Sequence, residues 1–156
     1  MDLELVLTKS DDELIAATIY HEASGEGWRG MLAVAHVIVN RVKARSWYGA
    51  NVFEVVTKPW QFSCHNGEFQ DYHDDVSLLI AQMVLAGATV DITGGADHYH
   101  ADYLAPDWAN EMNFCKRIGR HIFYRAEPLR SFTPARILAP VERPGFQVDY
   151  SEYKNG

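Results

Sequence analysis

The chain reads as an α+β fold, mainly helical with a small antiparallel sheet, on three observations. Apolar residues recur at helical spacing through the first half, two short stretches at 96–103 and 117–125 alternate instead, and capping and glycine signals separate the segments. With 156 residues, 47% of them hydrophobic, and no low-complexity block or internal repeat, the chain suits one core rather than two domains. Residues 1–126 are expected to form that domain. Residues 127–156 carry Pro128, Pro134, Pro140 and Pro144 without helical period, so this tail is expected to pack on the domain or fray from it, and no chemistry is assigned to it.

The elements follow in order. Ser10 and Glu13 make a capping box ahead of LIAATIY, which predicts a helix from about Asp11 to the Glu22 region, with Gly25 as its stop. Met31, Val34, Ala35, Ile38 and Val42 repeat along one face of a second helix, about Trp28 to Val42, closed by polar Asn40, Arg41 and Lys43. NVFEVV is a short helix, followed by a proline-containing loop, KPWQFSCHN, rich in aromatic and hydrogen-bonding side chains and able to line a groove. Asp74 or Asp75 caps a third helix running through MVLA, and Gly87 ends it in the left-handed conformation. ADHYHADY and RIGRHIFYR flank a helix opening at Pro106 and pair as neighbouring strands.

Composition narrows the function. A net charge of −7, with acids concentrated before residue 27, argues against nucleic acid as a partner, because nothing neutralises phosphates. No apolar run is long enough to span a bilayer, and the N-terminal residues lack the pattern of a secretory signal. Synthesis in the cytoplasm is therefore expected, with Cys64 and Cys115 as free thiols; separately, the chain is expected to act as a monomer.

Glu22 is the foremost candidate for chemistry. It lies in HEASGEG, where the first helix ends, and the partial negative charge of a helix C-terminus favours a carboxyl that keeps its proton, as a general acid must. HEASG also invites comparison with the zinc helix H-E-x-x-H, but Gly25 stands at the second ligand position. His98 and His100, two apart on a strand, share a face, and a metal site would need His121, His65 or His73 to complete it; no cofactor or metal is assigned. His36 is a helix-face histidine. Trp28, Trp47, Tyr48, Trp60, Phe62, Tyr99, Tyr103 and Trp108 fall mostly in or beside loops, a set that suits sugars, apolar on their faces and hydroxylated at their edges. Gln61 and Ser63 add hydrogen-bonding capacity beside Phe62.

Taken together, IAATIYHEASGEGWRGMLAVAHVIVNRV, WQFSCHN, GADHYHADYLAPDW and RIGRHIFYR resemble, in order, the spore cortex-lytic and cell-wall hydrolase family of the SleB/CwlJ type. The match runs from about Leu14 to Arg125. The resemblance implies a lysozyme-like, lytic transglycosylase-like fold and an enzyme that cuts peptidoglycan between N-acetylmuramic acid and N-acetylglucosamine, with its acid at Glu22. Without an export signal or a repeat-type wall-binding module, the sequence looks more like a phage or prophage endolysin, released from the host cytoplasm through a holin-type pathway.

In the implied mechanism Glu22 protonates the glycosidic oxygen and then deprotonates the muramic 6-hydroxyl as it attacks, leaving a 1,6-anhydro product; a muramidase would instead need a second acid, for which Glu26 is the candidate. Gln61, Phe62 and Ser63 are expected to hold the sugar amide and the departing oxygen, and Tyr99 to set its hydroxyl near Glu22. Trp60, His98, His100 and Trp108 complete the expected substrate-binding set, and Glu26 belongs to it if it is not a catalytic acid. Two alternatives stand beside this reading: a zinc-dependent peptidoglycan amidase or peptidase using His98 and His100, and a non-catalytic glycan-binding module.

Overall fold

Helix α3 (Gly27–Ala44) organises the molecule because it is apolar on nearly every side. Met31, Val34, Ala35, Ile38 and Val42 face a helical core, while Ala33 and Val37 face a second cluster with Ala96, Ile118 and Phe123. The computed structural model describes residues 2–126 and two short strands in the tail. Around α3 lie α1 (Leu3–Leu7), α2 (Asp11–Ala23), α4 (Val52–Thr57) and α5 (Asp75–Leu85). The sheet is antiparallel, in the order β1 (His98–Ala101), β3 (His121–Arg125), β2 (Asn113–Ile118). It packs on the Ala33–Val37 side of α3, where small side chains let the two layers approach. The α+β class, helical with a small antiparallel sheet, is the one expected. No helix among the described residues is long and apolar enough to cross a membrane.

The capping box at Ser10 and Glu13 starts α2, and Asp74 caps α5 through the Ser77 amide at 2.8 Å. Gly87 takes φ 68° after α5. Three expectations change. The short α1 was not expected, and Asp2 caps it. The break after α2 is made by a 3-10 turn, Ser24–Glu26, and by Gly27 at φ 73°, not by Gly25: the left-handed residue is needed only where the chain turns into α3. RIGRHIFYR is not one strand, because Gly119 at φ 57° turns the chain between β2 and β3. The stretch after Pro106 forms a 3-10 helix, Asp107–Glu111. The expected behaviour of the tail lies outside the described residues, apart from β4 (Glu142–Arg143) pairing antiparallel with β5 (Phe146–Gln147).

Candidate active site

Glu22 is the penultimate residue of α2, half-buried, and it lines a cleft of about 840 Å³. Two elements hold its carboxylate. From the 3-10 turn Ser63–His65, the Cys64 amide donates to Oε1 at 3.0 Å and the Ser63 hydroxyl reaches the same oxygen at 3.4 Å. From β1, the Tyr99 hydroxyl donates to Oε2 at 2.6 Å. Burial, followed by the neighbouring Glu22 charge, pushes the Tyr99 phenol well above its usual range, so it remains a donor. The same two causes push the Cys64 thiol far up, which leaves it an uncharged group rather than a nucleophile.

His65 ties this turn to α2. Thr18, one helical turn before Glu22, gives its hydroxyl proton to the Leu14 carbonyl at 2.8 Å and so accepts from His65 Nε2 at 2.9 Å. His65 Nδ1 accepts from the Gln70 amide at 3.2 Å, and the ring stacks on Phe69 with centroids 4.2 Å apart. Both nitrogens are therefore committed to the neutral ring, and a second proton on Nδ1 would face the Gln70 N–H. Burial, only partly opposed by the Glu22 charge, depresses the His65 pKa to about 4. A depressed histidine stabilises the fold fully above its ordinary value near 6.5, and that contribution is lost as pH falls through about 4. Unfolding free energy measured in urea is expected to fall by about 3 kcal/mol between pH 7 and 4 from this group, with His36 and His121, also lowered by burial, acting in the same direction. A flat profile over that window would refute the assignment.

Arg41 is the site residue that sequence reasoning missed as part of the cleft, having taken it as a polar helix end. It is only 4% exposed and lines the cleft. Its Nε donates to the Asp97 carbonyl at 2.7 Å, and the guanidinium carbon lies 5.1 Å from the ring centres of both Tyr48 and Phe62. A signal was present: position 41 falls on the buried side of α3 with Val34, Ile38 and Val42, where a charge is costly without a purpose.

His98 and His100 project from one face of β1 and both line the cleft, as the spacing required. His98 Nδ1 lies 2.8 Å from Asp97 Oδ1 and 3.4 Å from the Tyr48 hydroxyl; His100 Nε2 meets the Tyr124 hydroxyl at 3.0 Å. Trp108, delivered by the 3-10 helix after Pro106, packs against both histidines, at 5.3 and 5.6 Å between ring centres. His121 lines the cleft beside the Tyr99 ring, but His65 is engaged with Thr18, and no group of three or more metal-binding side chains occurs among the described residues. Trp47 and Trp60 stand at the cleft, 56% and 82% exposed, and Trp60 holds φ 67°, a backbone state that is strained for a bulky residue. Gln61 and Ser63 line the cleft as well.

Two expected site residues are placed elsewhere. Phe62 is 1% exposed and belongs to the core, because the loop turns its aromatic ring inward under Arg41 while Gln61 and Ser63 face out. Glu26 does not line the cleft: its carboxylate accepts from the Arg120 amide at 3.0 Å and holds the β2–β3 turn. Gly119 makes the turn because its φ of 57° is strained for a residue with a side chain, and a Cβ there would also displace that carboxylate.

Comparison with known proteins supplies the relatives. A family model described as Cell Wall Hydrolase matches residues 25–124. The spore cortex-lytic enzyme of Halalkalibacterium halodurans is 34% identical over 73% of this chain. This chain spans about a third of that relative's length, 34%. Among solved structures, the catalytic domain of the germination-specific lytic transglycosylase SleB from Bacillus anthracis superposes with a TM-score of 0.66 at 28% identity, covering 76% of this chain and 98% of that one. The catalytic domain of the Bacillus cereus SleB protein gives 0.65 at 29% identity, covering 74% and 89%.

Proposed function

This chain belongs to the Cell Wall Hydrolase family, and from that membership we propose that it cleaves the glycosidic bond between N-acetylmuramic acid and N-acetylglucosamine as a lytic transglycosylase, with Glu22 as the acid and then the base. One observation carries the choice of chemistry: among the described residues that line the cleft, Glu22 is the sole carboxylate. A hydrolytic glycosidase places a second carboxylate across the scissile bond, as nucleophile or as base. Glu26, the candidate for that part, is turned to the β2–β3 hairpin. A single acid suffices where the attacking group is the sugar's own hydroxyl. Glu22 gives its proton to the glycosidic oxygen and the bond to the muramic ring carbon breaks. The 6-hydroxyl oxygen then bonds to that carbon, and its proton returns to Glu22. The products are a 1,6-anhydromuramyl end and a free 4-hydroxyl on the departing sugar.

The supporting side chains take parts that fit their geometry. The Cys64 amide and the Tyr99 and Ser63 hydroxyls aim the Glu22 carboxyl. Gln61 and Ser63 offer polar groups to the acetamido substituent, and Trp60, Trp108, His98 and His100 flank the glycan. The zinc amidase alternative lacks a donor set among the described residues. Action as a monomer and release as a phage-type endolysin belong to the same proposal.

Mass spectrometry of soluble products from purified peptidoglycan tests the reaction. Anhydro-muropeptides are the expected result, whereas reducing-end muropeptides would make the enzyme a hydrolase, and cleaved peptides on intact glycan would sink the reading. Tyr99→Phe removes one aiming donor while leaving the ring in place. A hydrogen bond to a charged group contributes about 1.5–3 kcal/mol, so kcat is expected to fall about 10- to 100-fold with KM little changed.

A further inference from the structure

Arg41 presents an imbalance. A guanidinium carries five N–H donors, yet among the described residues Arg41 makes one firm hydrogen bond, Nε to the Asp97 carbonyl, and one long contact of 3.5 Å from Nη1 to Gln61 Oε1. It forms no ion pair within 4.0 Å of any described carboxylate. The side chain is nevertheless 96% removed from solvent, since 4% remains exposed, and what remains opens on the cleft that holds Glu22 and Tyr99. Tyr48 and Phe62 hold the guanidinium plane by their ring faces, each 5.1 Å from its carbon, within the range of cation–π attraction. A charge kept in place at this desolvation cost, with its plane fixed and its terminal nitrogens free of firm partners, is preorganised for an acceptor that arrives with the ligand.

We propose that Arg41 is a hydrogen-bond-donating subsite of the cleft for the lactyl carbonyl oxygens that distinguish muramic acid from N-acetylglucosamine. The inference rests on the glycan-cleaving reading above and specifies how the cleft tells its two sugars apart. Of the substituents on such a strand, the acetamido group is common to both sugars and neutral, whereas the lactyl group is found on one and ends in a carboxylate or, where a peptide stem is attached, an amide carbonyl. A planar, two-pronged donor matches a carboxylate bidentately and an amide through one bond. Strands freed of their stems are therefore bound more tightly than stem-bearing ones.

The test measures binding calorimetrically in a Glu22→Gln background, so that nothing is cleaved. Three glycan preparations of equal length are compared: stem-free strands with free lactyl carboxylates, stem-bearing strands, and stem-free strands whose lactyl carboxylates have been reduced to alcohols. With Arg41 intact, the reduced strand is expected to bind at least about tenfold more weakly than the carboxylate strand, the amide-bearing strand falling between. Adding Arg41→Lys, which keeps the charge and loses the fork, should remove most of that preference while leaving affinity for the reduced strand within about twofold. Equal binding of carboxylate and reduced strands by the Arg41 protein overturns the subsite, and this arm needs no substitution at Arg41 that could perturb folding. A parallel loss of affinity for both strands on Arg41→Lys overturns it too, since that is the mark of a structural role. If no preparation binds the Glu22→Gln protein, the glycan reading itself falls, and the subsite with it.

Discussion

Glu22→Gln lowers the rate of soluble muropeptide release by about 10² to 10⁴, the range expected when a positioned proton donor is lost. The substitution is nearly isosteric, so the fold and the glycan affinity stay close to wild type and the loss falls on kcat. The geometry makes the expectation severe: among the described residues lining the cleft there is no second carboxylate to take over either proton transfer. With its oxygen toward the Cys64 amide and its NH2 toward Tyr99, whose hydroxyl then accepts instead of donating, the Gln side chain keeps a contact to each partner while the transferable proton is gone. Rates measured at several pH values on the same peptidoglycan preparation check it. Activity within threefold of wild type would mean that another group supplies the proton, and the single-acid mechanism would have to be abandoned.

Phe62→Ala is expected to be the most destabilising substitution in the KPWQFSCHN loop, by about 3–5 kcal/mol, because a fully buried aromatic leaves a cavity as well as losing its burial. For a domain of this size that corresponds to a fall of about 10 °C or more in Tm. The same substitution withdraws one of the two rings that hold Arg41 and loosens the turn that carries the Cys64 amide to Glu22. Trp60→Ala, two residues away, is the contrast: at 82% exposure its loss should change stability by no more than about 0.5 kcal/mol, with any effect appearing in glycan affinity instead. Thermal unfolding of the two variants side by side decides the matter, and equal shifts would contradict the placement of Phe62 in the core.

These two neighbours show how far the sequence could be read. QFS marks a loop with aromatic and polar content, but loop periodicity is irregular, so nothing local says which side chain turns in. All four tryptophans turned out to lie outside the core, with Trp28 60% exposed, Trp47 56%, Trp60 82% and Trp108 half-buried. Their position in or beside loops was the legible part.

What the sequence determined by itself is the set of elements whose physics is local. The capping box at Ser10, a cap at Asp74 or Asp75, the apolar face of α3, the left-handed Gly87 and the shared face of His98 and His100 each depend on residues within a turn or two. The family motifs added the order of the site segments and singled out Glu22. Only the tertiary structure decided which polar groups meet. Cys64 lies 42 residues from Glu22 in sequence and Tyr99 lies 77 away, yet both donate to one carboxylate. Glu26, four residues beyond Glu22, is separated from it by a 3-10 turn and caps a hairpin 94 residues on. Arg41, placed by sequence among the polar residues closing a helix, enters the cleft because the sheet and the 58–66 loop pack on the side of α3 where it points. Such meetings are made by long-range packing, whose energy is spread over the whole core and leaves no signature within the short windows in which helices, caps and turns are written.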